Sequence, residues 1–138
     1  MRIIVDTNVL MSGVFFGGVP GRILDAWAEG RLELVLSPDI LQEYRRVGAE
    51  LAARYPERSG ALAPALTLIA MNAVQVDAAP LPAPVSKDPD DDKFLAAANA
   101  ADVPVIISGD RDLLDVSGWR NVVVLSPRQF AERHLLAG

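Results

Sequence analysis

The 138-residue chain has no cysteine, which excludes a disulfide framework, zinc–thiolate sites, iron–sulfur clusters and cysteine nucleophiles together, and is compatible with a reducing cytoplasm. Histidine is almost as scarce. His134 is the only one, it falls in an ordinary C-terminal helical stretch, and a structural role for it disfavours histidine-based catalysis. No apolar run approaches the roughly 20 residues that span a bilayer, and the first residues reach Asp6 too soon for a signal peptide. The expectation is a soluble, cytoplasmic protein with no membrane partner. Positive charge is also short, with 13 Lys and Arg against 18 Asp and Glu, a net charge of -5. With a pI near 4.7, the chain cannot grip nucleic acid through bulk positive charge. Either the partner is not nucleic acid, or cations mediate the contact. What the chain does have is an apolar content of 51%, enough for one self-sufficient core, and a length that fits a single domain over residues 1–138.

Apolar runs without alternation mark strands buried on both faces of a parallel sheet. Five such runs occur, at 2–5, 32–36, 74–76, 103–107 and 122–125. Between the first two, Gly13, Gly17 and Gly18 read as a loop, and Pro20 opens a helix with Ile23, Leu24 and Trp27 on its apolar face. Ser37-Pro38 and Ser126-Pro127 each supply an N-cap and a proline at the first helical position. Residues 59–73 predict a helix that must place Pro64 in its first turn or kink there. Pro80, Pro82 and Pro84 read as a stiff connection within the domain, and Asp92 to Ala101 as an alanine-rich helix. Strands separated by helices indicate right-handed crossovers and a three-layer α/β/α sandwich around a parallel sheet.

Ligands of open parallel sheets bind beyond the carboxyl ends of the strands, where the strand order reverses. Asp6 and Asp110 both stand at strand ends. Converging carboxylates about 4 Å apart repel by roughly 4 kcal/mol at an effective dielectric near 20, and a divalent cation reverses that sign. Oxygen ligands with no His or Cys nearby favour Mg²⁺ or Mn²⁺ over zinc. Other acid-based chemistries fit less well. A haloacid-dehalogenase-like phosphatase needs a second aspartate where Asn8 stands, a response-regulator receiver needs a lysine after a late strand, and Lys87 and Lys93 are the only lysines. A phosphate-binding loop ending in Gly-Lys-Ser/Thr is missing from the sequence. The crowded Asp88, Asp90, Asp91 and Asp92 read by themselves as a solvated charge run.

Four segments, in order, resemble a PIN domain: Ile3 to Leu10 with Asp6-Thr7-Asn8, Leu36 to Glu43, Asp88 to Ala98, and Ile106 to Leu114 with Ser108-Gly109-Asp110-Arg111-Asp112. The likeness is to the single-domain bacterial branch of VapC-like toxin ribonucleases. It implies a sheet in the order 3-2-1-4-5, which puts the strand carrying Asp6 beside the one carrying Asp110. It also implies an acidic, metal-holding quartet of Asp6, Glu43, Asp92 and Asp110. Asp112 would be an accessory acid, and Asn8 and Ser108 would orient carboxylates. The family register, an acid followed after two residues by Leu-Ala-Ala, selects Asp92, whereas helical periodicity puts Asp91 closer to the Phe94 and Ala98 face; the register is followed here. Glu132 repeats the local context of Glu43 after the second Ser-Pro pair and serves as an internal control.

The resulting expectation is a Mg²⁺- or Mn²⁺-dependent endoribonuclease acting through activated water, the toxin of a toxin–antitoxin pair. Its expected partners are RNA, a cognate antitoxin protein and a second copy of the chain as a homodimer. Arg45, Arg46, Arg54 and Arg58, on or after the Glu43 helix, are candidates to hold flanking phosphates. The alternative is a catalytically inactive PIN-like module that binds RNA or protein, with a Mg²⁺-dependent phosphatase third.

Overall fold

The computed structural model describes residues 1–135. Its centre is a five-stranded, all-parallel sheet in the order β3-β2-β1-β4-β5. The strands are β1 (Arg2–Val5), β2 (Glu33–Leu36), β3 (Val74–Gln75), β4 (Val105–Ile107) and β5 (Val123–Leu125). Around the sheet lie α1 (Thr7–Phe16), α2 (Gly18–Ala28), α3 (Pro38–Arg54), α4 (Leu62–Asn72), α5 (Asp92–Ala101), α6 (Arg111–Leu114) and α7 (Pro127–Phe130). A π-helical turn over Ala131–Leu135 follows α7. The order runs outward from β1 through β2 to β3, then returns to β4 on the other side of β1. With right-handed crossovers, this reversal sends the helices of the two halves to opposite faces. The expected α/β fold and strand order are therefore the ones observed.

The central strands are buried because their side chains are apolar on both faces: Ile3, Ile4, Val5, Leu34, Val35, Leu36, Ile106 and Ile107 are each almost fully removed from water. Both Ser-Pro signals act as read. Ser37 Oγ accepts from Ile40 N at 3.3 Å, and Ser126 forms a capping box with Gln129. Pro64 sits in the first turn of α4.

The stretch read as a glycine loop is instead helical. Helix α1 starts directly after Asp6 and runs through Gly13, and the chain turns by 94° into α2. Gly13 is needed for packing rather than turning, since a Cβ there would lie 2.7 Å from Leu24 Cδ1 and 3.0 Å from the Pro20 backbone. Gly17, at φ +77°, makes the actual break. Helix α6 was not foreseen, because four residues carry too little periodicity to be read. Among the described residues no single helix is long and apolar enough to cross a membrane.

Candidate active site

Four chain segments meet at the carboxyl ends of β1 and β4. The Asp6 backbone N–H donates to Ile107 O at 2.9 Å, extending the β1–β4 ladder by one residue. That sets Asp6 beside Ser108, which is wholly buried; its hydroxyl donates to Asp6 Oδ2 at 2.6 Å and accepts from Asp110 N at 2.9 Å. One serine thereby fixes two acids on neighbouring strands. Asp110 caps α6, its Oδ1 accepting from Asp112 N at 3.0 Å. From the third segment comes Asp91, in the 3-10 turn Pro89–Asp91 that leads into α5. Carboxylate oxygens of Asp91, Asp110 and Asp112 lie within 4.8 Å of one another. Asp91 is only 9% exposed, and its Oδ2 is buried with no hydrogen-bond partner.

The fourth segment is α3. Buried Tyr44 donates its hydroxyl to Val5 O at 2.5 Å, pinning this helix to the end of β1. The neighbouring Glu43 thereby faces the cleft. Thr7, the first residue of α1, donates its hydroxyl to Glu43 Oε2, and Lys93 Nζ donates to Glu43 Oε1 at 2.5 Å.

The electrostatics match a crowded anionic pocket. Burial pushes the Asp6 carboxyl above its usual range, and the charges of Asp110 and Glu43 add to this, against the lowering effect of the Ser108 hydrogen bond. Asp91 is pushed up to about 8, first by burial, then by the adjacent Asp110 carboxylate and the charges of Asp6 and Asp88. The Tyr44 hydroxyl is raised by burial and by Asp6 and Glu43, which keeps it a neutral donor. Burial works against charge on Lys93, but Glu43 and then Asp90 more than offset it and raise the ammonium above its usual range. The starts of α1, α3 and α5 all lie at this end of the sheet, and the positive ends of their dipoles favour the accumulated negative charge.

Of the residues read from sequence, the structure brings Asp6, Asp110, Ser108, Glu43 and Asp112 together. It does not bring in Asp92. That carboxylate accepts from Ser86 N at 2.8 Å and Val85 N at 3.0 Å, so it anchors the end of the proline-rich connection, while Asp91 occupies the cleft. Asn8 is exposed beside a cavity it shares with Asp110 and Arg111, and Thr7 is the residue that orients a carboxylate. Glu132 lies on the closing turn, paired with Arg128 at 3.5 Å. Arg58 is engaged elsewhere, donating to Phe15 O at 3.3 Å and stacking over the Phe16 ring. Arg46 lies 3.9 Å from Glu43 at the rim of the cleft. Thr7 and Lys93 join the cleft without a motif of their own. The only signals for them were a hydroxyl directly after a strand-end aspartate and a rare lysine inside an acidic run.

An oxygen-only cluster with an unpartnered buried carboxylate oxygen has the donor chemistry of a hard divalent cation site. The sequence profile of the PIN domain matches residues 2–112, a span that contains every acid of this cleft. The chain is also similar to uncharacterized protein MJ1680 of Methanocaldococcus jannaschii, with 32% identity over 120 residues, covering 84% of this chain and 75% of that protein.

Proposed function

The chain belongs to the PIN domain family, and from that premise we propose that it is a metal-dependent ribonuclease hydrolysing a phosphodiester with water. The observation that carries this reading is the orphaned Oδ2 of Asp91, buried among the oxygens of Asp110 and Asp112 and beside Asp6. A buried acceptor without a donor is costly, and a cation converts that cost into binding. Asp6, Asp91 and Asp110 would hold the ion, with Asp112 next to them. Oxygen donors without His or Cys suit Mg²⁺ or Mn²⁺. Such an ion, when bound, lowers the pKa of water and draws charge from phosphate oxygens.

The chain's own residues supply the positioning. Ser108 keeps the Asp6 carboxylate turned into the cleft and ties Asp110 to it, so the two acids cannot relax apart. Tyr44 and Thr7 fix Glu43 at the edge of the cleft. In the reaction the water oxygen bonds to phosphorus, the bond to one ester oxygen breaks, and a proton from the water ends on that leaving oxygen. No protein nucleophile is required. Reading the substrate as RNA follows from the resemblance to VapC-like ribonucleases, as do the toxin role, an antitoxin partner and a cytoplasmic setting.

Purified wild type should cleave a fluorescent RNA in Mg²⁺ or Mn²⁺ and not in EDTA, and Asp6→Asn should abolish cleavage while keeping its cooperative melt. Cleavage by Asp6→Asn at the wild-type rate would refute the mechanism. Induced expression should arrest growth of a bacterial host, and the product of the adjacent gene should relieve it. Unimpaired growth with demonstrable RNA cleavage would remove the toxin role alone.

A further inference from the structure

Both oxygens of Glu43 are engaged, Oε2 by Thr7 and Oε1 by Lys93, and the Lys93 ammonium also donates to Asp90 Oδ1 at 3.2 Å. This is not a surface ion pair. The side chains of Lys93 and Glu43 are only 17% and 11% exposed. Ion pairs so far removed from water are poor stabilisers compared with apolar contacts of the same shape, so holding α3 against α5 does not account for the choice of residues. The location does. The pair forms one wall of a cavity of about 450 Å³ that also includes Gln42, Arg46 and Asp90, and Glu43 links this wall to the cleft through Thr7 and through its charge on Asp6. An ammonium has three donors, and two of them are committed to Glu43 and Asp90.

We propose that Lys93 is a catalytic residue, its ammonium taking a non-bridging oxygen of the phosphodiester while Glu43 and Thr7 position it. The inference rests on the ribonuclease reading and deepens it. A phosphodiester has two non-bridging oxygens, and negative charge builds on both as water adds. Asp6, Asp91 and Asp110 define the metal-holding side of the cleft. Lys93 is a positive charge fixed at Glu43, whose own charge is felt by Asp6, and it is already oriented and stripped of most of its water. It stays protonated throughout, and no proton or electron passes through it. On this assignment Glu43 acts through the lysine rather than as an ion ligand, which its two existing hydrogen bonds favour.

The test compares wild type with Lys93→Met, Lys93→Gln and the double variant Lys93→Met/Glu43→Gln. Three quantities are read for each: Mn²⁺ affinity by calorimetry, RNA affinity in EDTA, and the single-turnover cleavage rate in Mn²⁺. The Met and Gln variants should lose about a hundredfold in rate and several-fold in RNA affinity, while Mn²⁺ affinity stays unchanged or tightens. The double variant should remain as slow as Lys93→Met. If Lys93→Met melts far below wild type, Lys93→Gln, which keeps a hydrogen bond to Glu43 without the charge, carries the comparison. Wild-type-like cleavage by that variant, or recovery of rate in the double variant, would overturn the assignment and leave a structural pair. A wild type that neither binds Mn²⁺ nor cleaves RNA would overturn the nuclease reading and the role of Lys93 with it.

Discussion

Asp91→Asn and Asp92→Asn are the same chemical change at adjacent positions, and the structure requires them to move stability in opposite directions. Asp91 has carboxylate neighbours at Asp110 and Asp112 within 4.8 Å. At an effective dielectric near 20, each such pair repels by about 3 kcal/mol when both members are ionised. Asp110 and Asp112 are only half-buried, so solvent screening cuts the net gain from removing the Asp91 charge to roughly 1–3 kcal/mol. The gain depends on pH, and its sign follows from protonation. The folded-state value of Asp91 is pushed up to about 8 from an ordinary 3.8. Between those limits the folded chain holds a proton that the unfolded chain has released, so wild-type stability falls as pH rises through this window. The advantage of Asp91→Asn is therefore small at pH 5 and full at pH 9. For a chain of this length about 3–4 °C accompanies each kcal/mol, which predicts a Tm about 3–12 °C above wild type at pH 9.

The Asp92 carboxylate is held by two backbone N–H donors, so Asp92→Asn acts mainly on them. It replaces one carboxylate oxygen by an NH₂ facing the N–H of Val85 or Ser86 and should lose roughly 1–2 kcal/mol, lowering Tm by several degrees. Mn²⁺ should raise the Tm of wild type and Asp92→Asn by mass action, and that of Asp91→Asn much less. Differential scanning fluorimetry in EDTA at pH 5 and 9, then in Mn²⁺, measures all of this. A stabilised Asp92→Asn that no longer responds to Mn²⁺, beside an Asp91→Asn that behaves as wild type, would refute the placement of the third acid.

Two further outcomes follow from the same geometry. Glu43→Gln should slow cleavage about a hundredfold, whereas Glu132→Gln, on an exposed surface pair with Arg128, should leave the rate within a factor of about two; equal losses measured on one RNA would dissociate the cleft from α3. Tyr44→Phe leaves the buried Val5 carbonyl without its side-chain donor and should cost about 1–2 kcal/mol in urea unfolding at unchanged m-value. An unaltered midpoint would mean that the hydroxyl does not pin α3 to β1.

The sheet was legible because a parallel strand buried on both faces leaves an apolar run that needs no partner to be recognised. Ile3-Ile4-Val5 and Val105-Ile106-Ile107 show it without any knowledge of the fold. Apart from β1, the observed strands are shorter than the runs: Leu32, Val103 and Val122 lie outside the ladders yet remain buried. Hydrophobicity reports burial rather than hydrogen bonding, so it overstates strand length. Helix α1 was hidden for the opposite reason. Gly13 carries the local signal of a turn, but what it answers to is the close crossing of α2, and nothing in the neighbouring residues announces that contact.

In the site, legibility falls with the number of chain segments a role requires. Asp6 and Asp110 need only their own strands, and Ser108 needs one neighbouring strand. Thr7 and Lys93 acquire their roles through Glu43, 36 and 50 residues away, once α3 has docked between the starts of α1 and α5. No local pattern encodes that meeting. The choice between Asp91 and Asp92 is a different case, because the sequence carries two signals that disagree. Successive residues of a helix point roughly 100° apart, so two adjacent acids at the start of α5 cannot both enter one cleft. Phe94 and Ala98 lie three and seven residues after Asp91 and are buried, which places Asp91 on the inward stripe. Asp92 is turned toward Val85 and Ser86 and spends its charge on their N–H groups. A family register counts residues along the chain, whereas periodicity reports where a side chain points, and only the second decides whether a carboxylate can meet a cation.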